Sequence, residues 1–224
     1  MRAFKLISAL SIILALTAIA AASASAEVEF LPGKAGTKVT GLSKKATLTA
    51  KNAKAEAVGV TCQKSKSTGE LKNGKEGKLD ITFEECTVAG LAVNSAGDAA
   101  KTILAHVAAK ACTITTTPLV GGVLLKPEPI ELSVPSTKLT VNIEGDVIGR
   151  LLPENGGKTS ELLTLDLNLK EGAQEFTKCK DGTNPELTEE LKAKVDAGTF
   201  LAATQSAEGG LLQFGKGEGQ EWMT

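Results

Sequence analysis

Four cysteines, one histidine and a few neighbouring carboxylates are the residues of this chain best able to do chemistry. Cys62, Cys86, Cys112 and Cys179 form an even set with no C-x-x-C pair. One histidine cannot complete a Cys/His metal set, so no metal site is expected. The set reads as two disulfides formed in an oxidising compartment. Three connectivities are open. Cys62–Cys86 with Cys112–Cys179 is favoured, because a hairpin would bring the first pair together. In the chain-entropy account, each bridge stabilises the fold by about 3–4 kcal/mol.

His106 lies in the strand-like stretch 102–107. A Ser-His-Asp or Cys-His system would have to use it, but G-x-S-x-G and S-x-x-K are both absent and H-E-x-x-H needs a second histidine. Glu84 and Glu85 are adjacent on an expected strand, so they should point to opposite faces. Glu144 and Asp146 are two apart and should share a polar face with Asn142. That puts them about 6.5–7 Å apart, near the separations of glycosidase carboxylates. Nothing around them supplies an aromatic subsite or a reason for one pKa to rise. A polysaccharide-acting enzyme using this pair is the alternative reading, and no catalytic residue is assigned. Asp166 with Asn168, and Asp181 with Asn184, offer too few ligands for Ca²⁺. The stretch 69–75 matches the start of a phosphate loop, but Glu76 stands where Ser or Thr is needed, and 210–216 fails the same way at Gly217. No cofactor is expected.

The elements that must position these residues read as strands. Leu163, Leu165, Leu167 and Leu169 alternate with Thr164, Asp166, Asn168 and Lys170, the pattern of a half-buried strand. Stretches 79–84, 130–134 and 139–144 repeat it. Further strands are expected near 37–41, 46–50, 56–63, 67–72, 101–107, 111–117, 120–126, 146–152 and 174–179. Turn signals fall at Asn73-Gly74, Gly121-Gly122, Asn155-Gly156-Gly157 and Asp181-Gly182. About ten or more short strands at this spacing predict an all-β fold, an antiparallel β-sandwich or a flattened β-barrel. Residues 185–195 read two ways. One is a helix capped by Asn184 with Pro185 in its first turn. The other, favoured here, is a strand carrying Leu191, Ala193 and Val195 into a turn at 196–198.

Residues 1–26 have the order of a cleaved export signal: Arg2 and Lys5, an apolar run over 6–21, then Ala24 and Ala26 before the cut. The apolar run is shorter than the ~20 residues of a spanning helix, so no transmembrane anchor is expected. Residues 27–214 are expected to form a single all-β domain, with a flexible tail over 215–224. Without Arg2 and Lys5, the mature chain has 23 basic and 26 acidic residues, a net −3. The basic residues are uneven: 34–78 holds eleven lysines against Glu56, Glu70 and Glu76. The mature chain has one Arg, five Phe, one Trp and no Tyr, which argues against nucleic acid as a partner.

Several short stretches carry a resemblance: 61–65 and 83–86 around the first two cysteines, 145–149 with 153–155, and 174–179 at the last. Together with the export signal they resemble a group of uncharacterised exported all-β proteins of actinobacteria. The resemblance implies export and an all-β body, and it transfers no activity and no functional residue. The expected function is that of a non-enzymatic binding or structural protein, secreted or associated with the cell envelope. The expected contact is an anionic cell-wall polymer or envelope surface, met by Lys64, Lys66, Lys72 and Lys75 through an attraction that salt would weaken.

Overall fold

A computed structural model describes residue 28 and residues 34–152, 162–182 and 186–215. The export signal, the turn at 155–157, Asn184 with Pro185, and the tail beyond 215 lie outside the described residues. Every described element is a strand. In chain order they are β1 Lys38–Ser43, β2 Ala46–Lys51, β3 Ala57–Cys62, β4 Lys64–Leu71, β5 Glu76–Glu84, β6 Thr87–Val88 and β7 Leu91–Ala92. Then follow β8 Asn94–Ser95, β9 Ile103–Thr116, β10 Leu119–Pro127, β11 Ile130–Val134, β12 Leu139–Glu144, β13 Val147–Leu152 and β14 Leu162–Leu167. The last are β15 Leu169–Lys170, β16 Ala173–Gln174, β17 Lys178–Cys179, β18 Leu187–Thr188, β19 Lys192–Val195, β20 Leu201–Ala202 and β21 Thr204–Phe214.

Eight strands close an antiparallel barrel in the order β1-β4-β5-β9-β10-β13-β14-β21, with β21 returning to β1. Closure satisfies the backbone groups that an open sheet leaves at its edges. Alternation sends Val39, Leu79, Val107, Leu125, Val147, Leu212 and Phe214 inward as one core. Strand β21 is long enough to leave the barrel. Residues 211–214 pair with β1, and residues 204–207 pair with β2. From β2 the same sheet continues through β3, β6 and β7 outside the barrel.

A second sheet, β20-β19-β12-β11-β8, buries Leu132, Val141, Ala193 and Val195 against Val60, Cys62 and Val88 of that extension. Phe83 and Ile130 pack against both this core and the barrel core. A third, smaller core lies outside the barrel wall. There Cys112 and Ile148 are covered by Phe176, Cys179 and Leu187 from the excursion between β14 and β19.

The disulfides are Cys62–Cys86 and Cys112–Cys179, the pairing favoured by the sequence. The first ties β3 to the residues just after β5. The second pins β17 to β9 in the middle of the barrel wall. The described part of segment 185–195, residues 186–195, holds strands, and Leu191, Ala193 and Val195 are buried as the alternation required.

Three sequence expectations are corrected. Gly121-Gly122 is not a turn but lies inside β10, where the register with β9 shifts between Val120 and Gly121. Gly122 is needed because a Cβ there would press on the Ile114 side chain, the close-approach role of a strand glycine. The turn sits earlier, at the cis Thr117–Pro118 bond. The separate strands expected at 101–107 and 111–117 are therefore one strand of 14 residues, β9. The stretch 174–179 is split between β16 and β17, each two residues long.

Replacing both Cys112 and Cys179 with Ala should lower stability by about 2–5 kcal/mol. Chemical denaturation would show this as a lower midpoint. Trypsin should then cut first at Lys170, Lys178 or Lys180, since the excursion loses its covalent tie to the barrel. A midpoint equal to the parent's would mean that the small outer core alone holds the excursion.

Candidate functional site

The barrel lumen holds a cavity, and the sequence of β4 helps to create it. Strand β4 alternates Lys64-Ser65-Lys66-Ser67, so lysines face solvent and serines face the lumen. Its inner row is Ser65, Ser67, Gly69 and Leu71, and the neighbouring inner row of β1 is Val39, Gly41 and Ser43. An eight-stranded barrel is just wide enough for ordinary side chains to fill. Serines and glycines along one wall leave part of it unfilled.

Two adjoining cavities result. One of about 60 Å³ lies between the serines of β1 and β4 and the side chains of Leu165 and Leu167 on β14 and Leu212 on β21. The other, of about 80 Å³, lies where the barrel meets the second sheet, between Ala105, Val107, Ile130, Ile143 and Leu191. Ile81, Phe83, Leu125 and Gln205 line both. Among the described residues, none that lines either cavity carries a charge, and the polar side chains of the inner cavity are Ser43, Ser65, Ser67 and Gln205. Ser43 and Ser65 share a hydroxyl hydrogen bond of 2.7 Å.

The lysines expected to form a basic surface stand on the outside of the same wall. Lys64 reaches Glu84 at 3.1 Å and Glu85 at 3.2 Å, and Lys66 reaches Glu84 at 3.2 Å. The hydrogen bond to Glu84 is the main cause raising the Lys64 ammonium above its ordinary pKa, and the bond from Lys64 is the main cause holding Glu84 below its own. Lys72 and Lys75 sit in the β4–β5 connection, where Asn73 Oδ1 accepts the backbone N–H groups of Lys75 and Glu76. Of these four lysines, Lys64 and Lys66 are met by Glu84 and Glu85 at the end of β5.

Glu84 and Glu85 do not point to opposite faces. Strand β5 ends at Glu84, and Glu85 has φ +58°, which swings its carboxylate back to the same Lys64 ammonium. The carboxylate pair Glu144 and Asp146 is also not carried by one strand. Strand β12 ends at Glu144, and Gly145, with φ +97°, turns the chain from the second sheet into the barrel. A Cβ at Gly145 would strike the Glu190 carbonyl, so only glycine makes this crossing.

Asp146 Oδ1 instead accepts the Glu190 backbone N–H at 2.9 Å. Glu189 beside it accepts the Leu191 N–H at 3.1 Å. Burial pushes both carboxyls above their usual range. Raised acids oppose folding when ionised, so each adds stability only as pH falls through its folded value.

Asp166 and Asp181, weighed as cation ligands, are buried and engaged with cations of the protein itself. Arg150 donates to Asp166 at 2.6 Å while its guanidinium lies over the Phe176 ring, and Lys110 pairs with Asp181 at 2.5 Å. No group of three potential metal ligands occurs among the described residues.

His106 is exposed on β9, directly across from Asp80 of β5, and its Nδ1 lies 2.6 Å from the carboxylate. That hydrogen bond raises the imidazole pKa above 6.5. The pair therefore stabilises the fold fully below the unfolded value of about 6.5. That contribution is lost as pH rises through the folded value. An NMR titration should place the His106 midpoint above 6.5, and Asp80→Asn should lower it. A midpoint unmoved by that substitution would show that the contact does not persist in solution. No protein-family model, no curated protein and no solved structure matches this chain.

Proposed function

We propose that this chain is a non-enzymatic, exported binding protein whose barrel lumen holds a small apolar molecule. One observation carries the reading: two adjoining cavities, with no charged residue among their described lining, lie in the barrel lumen and at its junction with the second sheet. Protein interiors are ordinarily filled to crystal-like density, and small eight-stranded barrels are one architecture that holds a single small ligand. A dry, aliphatic cavity of about 150 Å³ is large enough for benzene, so a ligand of that size would span both the cavity of about 80 Å³ and that of about 60 Å³. The two disulfides support an extracellular or envelope location, because such bridges persist in oxidising compartments. Among the described residues, no helix is long and apolar enough to cross a membrane.

The test is benzene added to the disulfide-bonded protein. Binding to the native state raises stability by about 2.7 kcal/mol at a hundred times Kd. The unfolding temperature should therefore climb with benzene concentration. Ala105 is buried in the cavity wall, so Ala105→Leu should fill the space and abolish the climb while leaving the fold intact. A wild-type unfolding temperature indifferent to benzene would rule this reading out.

A further inference from the structure

The serine wall gives the lumen a chemical preference. Ser67 is 8% exposed and Ser65 is 7% exposed, and both line the inner cavity. The Ser65 hydroxyl is occupied by Ser43, whose own hydroxyl reaches the Lys44 carbonyl at 3.3 Å. Ser67 differs: among the described residues its hydroxyl has no hydrogen-bond partner. A hydroxyl that lines a cavity and has no protein partner is open to a ligand, and it can both donate and accept. Gly41 stands directly across from Ser67, and a Cβ there would collide with the Ser67 oxygen. The backbone is thus shaped to leave that oxygen its place. Gln205, at the junction of the two cavities, adds a second neutral polar group.

Resting on the binding reading above, we infer that the lumen selects a small neutral amphiphile. The Ser67 hydroxyl exchanges a hydrogen bond with the ligand's own hydroxyl, and the apolar body lies against Leu165, Leu167 and Phe83. Among the described residues no cation lines either cavity, so an ionised carboxylate would enter unpaired and is excluded by desolvation. A plain hydrocarbon enters but leaves Ser67 unsatisfied. The ligand class is therefore a short alcohol or phenol, neither an acid nor an alkane.

The experiment compares benzene, phenol and benzoate at pH 8 on the oxidised protein, followed by NMR shifts of the Leu165 and Leu167 methyl groups. Phenol should bind at least about tenfold more tightly than benzene, a difference near 1.4 kcal/mol, and benzoate should leave the spectrum unchanged. Ser67→Ala should remove the preference of phenol over benzene, and benzene binding by the variant would show that it folds. Ser67→Thr, which keeps the hydroxyl, should retain the preference. Benzene binding as tightly as phenol, benzoate binding, or a preference that survives Ser67→Ala would each overturn the selection while leaving the binding reading intact. Failure of both benzene and phenol would overturn the two together.

Discussion

Closure of the barrel by β21 is the constraint on which the rest of the structure depends. This strand pairs with β14 and β1 at its end and with β2 at its start. Without it, β1 and β14 would be open edges, the lumen would be a groove, and β2 would lose its pairing to the barrel. Closure fixes the lumen's width, and the second sheet can then dock only where the strand leaves the barrel. Phe83 and Ile130 stand at that junction and serve both cores.

Width set by strand number and volume set by side chains are independent quantities, and the lumen arises from their mismatch. Leucines line the neighbouring strands, with Leu212 beside Gly41 and Leu79 beside Gly69. Strands β1 and β4 supply Gly41, Ser43, Ser65, Ser67 and Gly69 instead. Some of this smallness is forced by the backbone. A Cβ at Gly69 would strike the Lys78 carbonyl and one at Gly41 the Leu211 carbonyl. The serines are under no such restriction, and larger apolar residues there would pack more tightly. Their presence trades packing for a space with a polar lip.

Much of the fold was legible in the sequence because period-two alternation is a direct signature of a half-buried strand. Stretches 130–134 and 139–144 became β11 and β12 with those same bounds. The hairpin argument for Cys62 and Cys86 held because β4 and β5 do form one between them. Closure was less legible, since nothing in a local pattern says that β21 meets both β14 and β1. Glycine misled at 121–122, where it marks close packing within β10. Positive φ at Glu85 and Gly145 rearranged both carboxylate pairs, and residue type alone does not announce that for a glutamate. The cavity did have a signal, the Lys-Ser-Lys-Ser alternation of β4, but its charged half drew attention to the outer face.

That outer face has one more consequence. Antiparallel pairing of β4 with β5 sets Lys64 opposite Glu84 and Glu70 opposite Lys78, while Lys38 of β1 reaches Glu70 from the other side. Sliding β4 by two residues keeps every side chain on its proper face, so the hydrophobic pattern barely resists the error. The charges do resist it. In one direction Glu70 would meet Glu76, and in the other it would meet Asp80 while Lys72 met Lys78. Like charges directly opposite are destabilising. The alternating acids and bases thus act as a proofreading code for strand alignment. The code is available before either disulfide forms and needs no partner outside the chain.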